Sequence, residues 1–167
     1  MFLRKTLDWG HHLVKVTYDY MLELAARKNA MLFLFIVAFV ESSFFPIPPD
    51  IMLIPMVLAT PAKAYRIAGL ATVASVLGGY FGYLIGVFGY DLIAKPILTF
   101  YGYMSQFDVF KGYYHEWGAW IVFGAGLTPF PYKVVTIASG VVHLDLLVFT
   151  VASVLARGGR FFLVAWL

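Results

Sequence analysis

Two acidic residues stand within apolar sequence in the first half of the chain. Glu41 follows eleven consecutive apolar residues, and Asp50 comes nine residues later, beyond a proline-rich turn. A carboxylate inside a membrane costs about 2.5 to 3.5 kcal/mol, and it usually marks a proton path, an ion path or a buried ion pair. Because low dielectric favours the neutral carboxyl group, Glu41 and Asp50 are predicted to carry a coupling proton. Two alternatives stay open: either acid neutralises a nearby cation, or Asp50 caps a helix starting at Ile51.

Three basic residues occupy comparable positions in the second half. Lys133 lies beside a proline pair, and Arg157 and Arg160 lie within the last apolar segment. Three bases outnumber two acids, so the surplus positive charge suits an anionic lipid headgroup, which guanidinium groups and the free amides of broken helices bind through phosphate. These residues are therefore predicted to bind substrate. The alternatives are that the arginines extend to the membrane surface or only balance the carboxylates.

Other chemistry is poorly supported. The chain has no cysteine, its adjacent His11 and His12 cannot face one another on a helix, and His115 and His143 are isolated. No nucleophile motif, zinc motif or phosphate-binding loop occurs. We therefore expect no enzymatic activity, no catalytic residue, no metal and no cofactor.

The composition of the chain indicates which class of protein holds these charged residues. Hydrophobic residues make up 62% of the chain and charged residues 13%, against about 25% charged in soluble domains. This excludes a soluble enzyme and predicts an integral membrane protein. The net charge of +3, with no soluble basic domain, favours anionic lipid over nucleic acid as the partner.

The first half contains one interfacial and one broken apolar segment. Residues 1–28 are longer and more mixed in charge than the start of a signal peptide, so they predict an uncleaved amphipathic helix lying on the membrane or packed on the protein. Residues 29–62 are too long for one crossing and too short for two. They are predicted to form a re-entrant hairpin, broken at Pro46, Pro48 and Pro49.

A repeat of this pattern fills the rest of the chain. Residues 67–90 lack any charge and predict a transmembrane helix, followed by an interfacial linker over 91–116. Residues 117–142 predict a second re-entrant hairpin, and 146–167 a second transmembrane helix. The sequence stops at Leu167 inside an apolar run, which leaves a continuation open.

Prolines and glycines mark the breaks and the contacts of this layout. The second hairpin is expected to break at Pro129 and Pro131. The first transmembrane helix carries small residues at four-residue spacing, a face for close helix packing: Gly78, Gly82 and Gly86.

The distribution of basic residues predicts the orientation. Residues 1–28 hold five Lys or Arg, and the loop after the first hairpin holds Lys63 and Arg66, which places both on the cytoplasmic side. The linker over 91–116 is net acidic, as expected on the far side. The second hairpin then enters from the face opposite to the first, and both tips meet near the midplane. The predicted fold is therefore an all-α integral membrane protein with two inverted repeats.

The same residues resemble a known family. The run Glu41–Asp50, the glycine-rich run 78–86 and Pro131-Tyr132-Lys133 are similar to those of the DedA (VTT domain, SNARE-associated Golgi) superfamily, in its short YqaA-like branch. The resemblance implies a multi-pass protein of the bacterial inner membrane with two re-entrant hairpins, related to lipid scramblases and flippases. By position, Glu41 and Asp50 match the family's membrane acids, and Lys133 its basic residue after the second-hairpin proline.

These observations predict a lipid transporter. It would move an anionic phospholipid or a polyprenyl-phosphate lipid between leaflets, with coupling to protons, and a homo-oligomer is left open. The alternative is a non-transporting membrane scaffold or assembly subunit whose buried charges are paired internally.

Overall fold

A computed structural model describes residues 19–20, 23–43, 48–102, 104–128 and 131–167, and every regular element within these ranges is helical. The predicted all-α class is therefore confirmed for these residues. The α-helices after residue 29 are, in chain order, α1 Ala30–Ser43, α2 Asp50–Ala59, α3 Ala64–Gly89, α4 Lys95–Tyr101, α5 Met104–Leu127, α6 Tyr132–Val141 and α7 Leu146–Trp166. A 3₁₀ turn, Pro61–Lys63, precedes α3, and a π turn, Tyr90–Ala94, continues it.

Within the described residues, two helical stretches are long and apolar enough to cross a membrane, judged by length and composition alone. They are Pro61–Leu92, which contains α3, and Leu146–Trp166, which is α7. At 1.5 Å per residue the 21 residues of α7 extend for about 31 Å, close to the ~30 Å hydrocarbon core of a bilayer. Helices α1 and α2, with 14 and 10 residues, are also apolar but are too short to cross.

Helix α3 lies at the centre and packs against α1, α6 and α7. Three of its glycines face α1 and α6. A Cβ atom at Gly78 would overlap the backbone of Phe39, and a Cβ atom at Gly86 would overlap the carbonyl oxygen of Ile137. At Gly82 a Cβ would overlap the hydroxyl of Thr136. The small residues therefore let three backbones approach closely.

The first helix break lies halfway along α3. Helix α1 ends where Ser43 donates to the carbonyl oxygen of Gly78 at 3.0 Å and Ser42 lies 2.6 Å from the hydroxyl of Ser75. Helix α2 then returns, because one hydrophobic cluster joins the start of α1, helix α2 and the start of α3: Ala30, Leu34, Met52, Met56, Ala64 and Ile67. The pair α1 and α2 thus covers the first half of α3.

The second helix break, before α6, also lies near the middle of α3. Helix α6 begins near the middle of α3, where the Thr136 methyl group packs near Gly79, and it ends beside Gly86. Helix α7 runs antiparallel to α3, since its early residue Phe149 contacts the ring of Tyr83 with centroids 5.5 Å apart, while Gly158 lies beside Thr72. Helix α6 therefore covers the second half of α3, and α5 packs against α6 and α7.

The structure bears on two predicted segments, the linker over 91–116 and the helix over 1–28. Helix α5 runs without interruption through 116 and 117, so the expected division between linker and second hairpin is not a helix end. The sequence there changes polarity but contains no proline, and polarity alone does not end a helix. The predicted helix over 1–28 lies mostly outside the described residues; within the described part, Leu24 is 4% exposed and belongs to the first hydrophobic cluster.

The prolines of the predicted breaks are only partly visible. Pro49 precedes α2 and Pro131 precedes α6, each as the residue before the first helical turn. Pro48 lies just outside α2. Pro46 and Pro129 lie outside the described residues. A proline before a helix suits this position because the first helical amides have no intrahelical acceptor.

Candidate functional site

Arg157 is the centre of the candidate site. It is the twelfth residue of α7 and is 1% exposed, so its charge is removed from solvent. Its Nη2 donates to Oε2 of Glu41 at 2.6 Å, and its Nε donates to the hydroxyl of Ser75 at 2.6 Å. The guanidinium therefore links the last turn of α1 to the middle of α3.

The hydroxyl of Ser42 completes this network. It lies 3.2 Å from the Glu41 carboxylate and 2.6 Å from the Ser75 hydroxyl. Glu41 lies in the last turn of α1, where the negative end of the helix dipole opposes an acid. The buried guanidinium offsets both this field and the loss of hydration.

Aromatic rings enclose the guanidinium on two sides. The Cζ atom of Arg157 lies 5.0 Å from the ring centroid of Tyr132 and 4.8 Å from that of Phe161, within the range of cation–π attraction. Tyr132 is itself fixed, because its hydroxyl donates to Ser153 at 2.5 Å. Arg157 is consequently held in one position by α1, α3, α6 and its own helix.

Arg160 forms a second ion pair, one helical turn along α7. Its Nη2 donates to Oδ2 of Asp50, the first residue of α2, and its Nη1 lies 3.4 Å from the carbonyl oxygen of Thr128, just after α5. Arg160 thus connects a residue that follows the first helix break to a residue that precedes the second.

This second pair is less enclosed than the first. The side chains of Arg160 and Asp50 are 24% and 18% exposed, against 1% for Arg157. Moreover, Oδ1 of Asp50 is buried without a hydrogen-bond partner among the described residues. The Asp50–Arg160 pair therefore has fewer contacts to break than the Glu41–Arg157 pair.

Lys133 lies half-buried in the first turn of α6, with no ion pair among the residues described. The hydroxyl of Thr136 lies 2.9 Å from the carbonyl oxygen of Lys133 and 3.1 Å from that of Ser42, so one proton is shared between α6 and the end of α1. This contact holds the two breaks together beside the ionic network.

The structure bears on the alternatives that the sequence left open for these residues. Arg157 and Arg160 each face a carboxylate, as the alternative of charge neutralisation predicts, and among the three cations only Lys133 lacks one within the described ranges. Arg157 does not extend to a surface, because it is 1% exposed. Asp50 is not the cap of a helix starting at Ile51, since α2 begins at Asp50 itself, after Pro49.

Sequence reasoning missed the uncharged members of the network. Ser42, Ser75 and Tyr132 contact the charges directly, and Thr136 joins the two breaks. A hydroxyl group in the middle of an apolar helix is a usable signal, because such groups bond between helices when no water is present. Ser75, in the centre of an uncharged run, carries this signal most clearly.

The network offers charge, hydroxyl groups and exchangeable hydrogen bonds rather than a nucleophile. Within the described part of the chain, no group of three or more His, Asp or Glu side chains is placed to hold a metal ion. What the arrangement can do is bind an anion through arginine or lysine, or transfer a proton at a carboxylate.

Two proteins are similar in sequence over most of the chain. An uncharacterized protein of Haemophilus influenzae is 39% identical over 148 residues, which cover 89% of this chain and 77% of that protein. The HI0703 homolog of Histophilus somni, also uncharacterized, is 40% identical over 150 residues, which cover 90% of this chain and 78% of that protein. No family model matches the sequence. No solved structure matches it either.

Proposed function

The chain belongs to one family with these Haemophilus influenzae and Histophilus somni proteins, and we propose that it lies in the bacterial inner membrane and moves an anionic lipid between the two leaflets. Its membership of the DedA superfamily is part of this proposal, on the residues quoted above. The N-terminus is then cytoplasmic, and no nucleic acid takes part.

The outer surface supports a membrane location. Large apolar side chains such as Phe88, Trp120 and Leu147 are more than 60% exposed, and many others of the described residues are similarly open. Monomeric soluble proteins rarely expose such continuous apolar surface. Lipid would cover these side chains without cost, and α3 and α7 have the length to cross.

The two broken helix pairs support an inverted arrangement. In a membrane, α1 and α2 would enter and leave at the end of α3 that carries Lys63, and α5 and α6 would do so at the other end. Transporters with inverted repeats place their substrate site near the midplane, between broken helices. The fold of this chain offers one such place.

One observation carries the proposal: both helix breaks meet at two arginines in the middle of α7. Arg157 contacts Glu41 before the first break and Tyr132 after the second, whereas Arg160 contacts Asp50 and Thr128. Charges at this depth are costly and usually functional. The arginines therefore stand where a charged headgroup would have to pass.

The two ion pairs suggest different roles. Arg160 has a partly open position and one long hydrogen bond, so a phosphate group can replace Asp50 with two parallel hydrogen bonds. Lys133 adds a positive charge that no described carboxylate balances. Arg157 is enclosed on all sides and acts as a positioning residue that keeps the breaks together.

Protons enter the proposal through the two carboxylates. A proton on Asp50 removes the charge that holds Arg160, which frees this arginine to bind phosphate, and a proton on Glu41 weakens the pair with Arg157 that keeps the two breaks together. Loss of the proton restores the ion pair and releases the lipid. Proton movement and lipid movement are coupled in this scheme because protonation of Asp50 breaks the ion pair that phosphate binding to Arg160 replaces.

The test is leaflet exchange of labelled phosphatidylglycerol in liposomes containing the purified protein, with and without a pH gradient, beside a labelled polyprenyl phosphate. We expect Arg160→Lys to slow exchange roughly tenfold, because lysine keeps the charge but loses the two-point geometry. Lys95→Gln removes an exposed cation away from the centre and is the matched control. Glu41→Gln should remove the dependence on the pH gradient.

Four results would overturn the proposal or its parts. Exchange no faster than in protein-free liposomes removes transport. Full activity of Arg160→Lys removes bidentate phosphate binding, and full activity of the Ala variants of Lys133, Arg157 and Arg160 removes the whole site. An unchanged pH dependence in Glu41→Gln removes that residue from coupling.

A scaffold without transport activity is the second candidate. The observation that favours it is that both arginines already have a carboxylate partner, so their charges are balanced inside the chain. Under this hypothesis the ion pairs only hold the helices, no lipid exchange occurs, and variants of Arg157 lose stability alone.

A further inference from the structure

An apolar groove lies between α5 and α7, lined by residues that take no part in the ion pairs. Its cavity has a volume of about 500 Å³, within the range of ordinary ligand pockets. Its two walls include Ala119, Trp120 and Phe123 from α5, and Leu147, Val151 and Leu155 from α7. The indole of Trp120 meets the ring of Phe123 edge to face, with centroids 6.4 Å apart, which forms a rigid wall.

The chemistry of the walls restricts the occupant. Every lining side chain is apolar, and none offers a charge, hydroxyl or amide. An extended peptide segment from a partner protein would bring backbone amides that find no acceptor here, and an unsatisfied amide is costly in an apolar medium. A hydrocarbon chain has no such groups.

The position of the groove restricts the occupant further. From Leu147 to Leu155 the groove follows α7 for about 12 Å, from its capped start at Asp145 to just before Arg157. That length is close to the depth of one leaflet, about half of the ~30 Å hydrocarbon core. A polyprenyl chain would extend well past its inner end.

We propose that this groove binds one acyl chain of a glycerophospholipid. The inference rests on the membrane location proposed above but not on transport. Just beyond the last groove residues, Gly126 of α5 lies against Ala156 and Arg157 of α7. The groove thus holds a lipid tail next to the network that would receive a headgroup.

The test uses two matched substitutions on α7. Val151 lines the groove and is 50% exposed, whereas Val154 does not line it and is 44% exposed. Val151→Trp fills the groove, and Val154→Trp adds the same bulk to another face of the same helix. Because both positions are open to the surroundings, we expect both variants to fold, which circular dichroism and thermal unfolding check.

Binding is measured with phosphatidylglycerol that carries a photoactivatable diazirine in its acyl chain, present in trace amount in vesicles of phosphatidylethanolamine and phosphatidylglycerol. After irradiation, mass spectrometry locates the labelled residues. We expect labelling to concentrate on 119–123 and 147–155 and to fall about tenfold in Val151→Trp, equal to ~1.4 kcal/mol. Labelling in Val154→Trp should equal that of the unmodified protein.

Other outcomes would overturn the inference. Equal labelling at Leu84 and Phe88, exposed on α3, with no effect of Val151→Trp, would mean that lipid only surrounds the protein. Crosslinks between copies that disappear in Val151→Trp would identify a second chain as the occupant. Stronger labelling by a polyprenyl phosphate probe would exclude the acyl chain. Groove labelling in protein that exchanges no lipid would keep this inference and remove the proposed function.

Discussion

At the scale of single residues, the buried arginine Arg157 dominates the energetics of the site. Burying an ion pair costs hydration that the Coulomb attraction only partly returns, so the pair adds little net stability. Removing one partner is different, because the other charge then remains buried and unbalanced. The sequence identified all five charged residues by their apolar surroundings, but it could not assign pairs, since the partners lie 110 and 116 residues apart along the chain.

Arg157→Ala should lower the free energy of unfolding by about 3–5 kcal/mol, because Glu41 is left 15% exposed without a counter-charge. The double variant Glu41→Gln with Arg157→Gln removes both charges and should recover a large part of this loss. Unfolding by denaturant in detergent measures both. Arg66→Ala, at an exposed cation near the start of α3, is the control and should change stability by less than ~0.5 kcal/mol.

If the double variant is no more stable than Arg157→Ala, the loss comes from the contacts of the guanidinium with Ser75 and the two rings rather than from the uncompensated acid. The structural account of Glu41 as the partner would then be wrong.

At the scale of helices, glycines set how closely α3 and α6 approach. A Cβ atom at Gly140 would overlap the carbonyl oxygen of Tyr83, a backbone atom that cannot turn aside. Gly69 lies in α3, and a Cβ atom there would have no neighbouring atom within 4 Å. Packing therefore requires glycine at position 140 but leaves room for a side chain at position 69.

Gly140→Ala should destabilise the protein by about 1–3 kcal/mol through overpacking. Gly69→Ala should stabilise it by up to ~1 kcal/mol, because alanine favours the helix more than glycine does. Thermal unfolding of the two variants side by side provides the comparison. A loss of stability in Gly69→Ala as large as in Gly140→Ala would indicate that close backbone approach does not explain the cost of a side chain at Gly140.

The sequence predicted these elements unevenly. The spacing of Gly78, Gly82 and Gly86 anticipated the close face of α3, and Pro49 and Pro131 anticipated where α2 and α6 begin, because both rest on local backbone chemistry. The continuity of α5 was missed because a change of polarity along a helix resembles a boundary between segments. Hydroxyl contacts such as Thr136 with Ser42 depend on how helices meet, which local sequence does not determine.

At the scale of the whole molecule, the prediction concerns which ends share a side of the membrane. The chain contains no cysteine, so single cysteines report cleanly. Cysteines at Asn29 and Lys63, both exposed at the end of α3 where the first helix pair begins and finishes, should react with an impermeant maleimide from the same side. A cysteine at Lys95, beyond the other end of α3, should react only from the opposite side.

Labelling of Asn29 and Lys63 from opposite sides would make α1 and α2 a full crossing and would contradict the re-entrant arrangement. Labelling of all three positions from one side would mean that α3 does not cross.

The placement of Arg157 and Arg160 in the last helix has a consequence for biosynthesis. A helix with two arginines near its centre partitions poorly into lipid, at about 2.5–3.5 kcal/mol for each. Their carboxylate partners are translated 116 and 110 residues earlier, which at 5–20 residues per second means a delay of roughly 6 to 23 s. During that time Glu41 and Asp50 lack the arginines that pair with them in the folded chain. In the proposed membrane location, the two ion pairs therefore form only after α7 has been inserted beside α1 and α3.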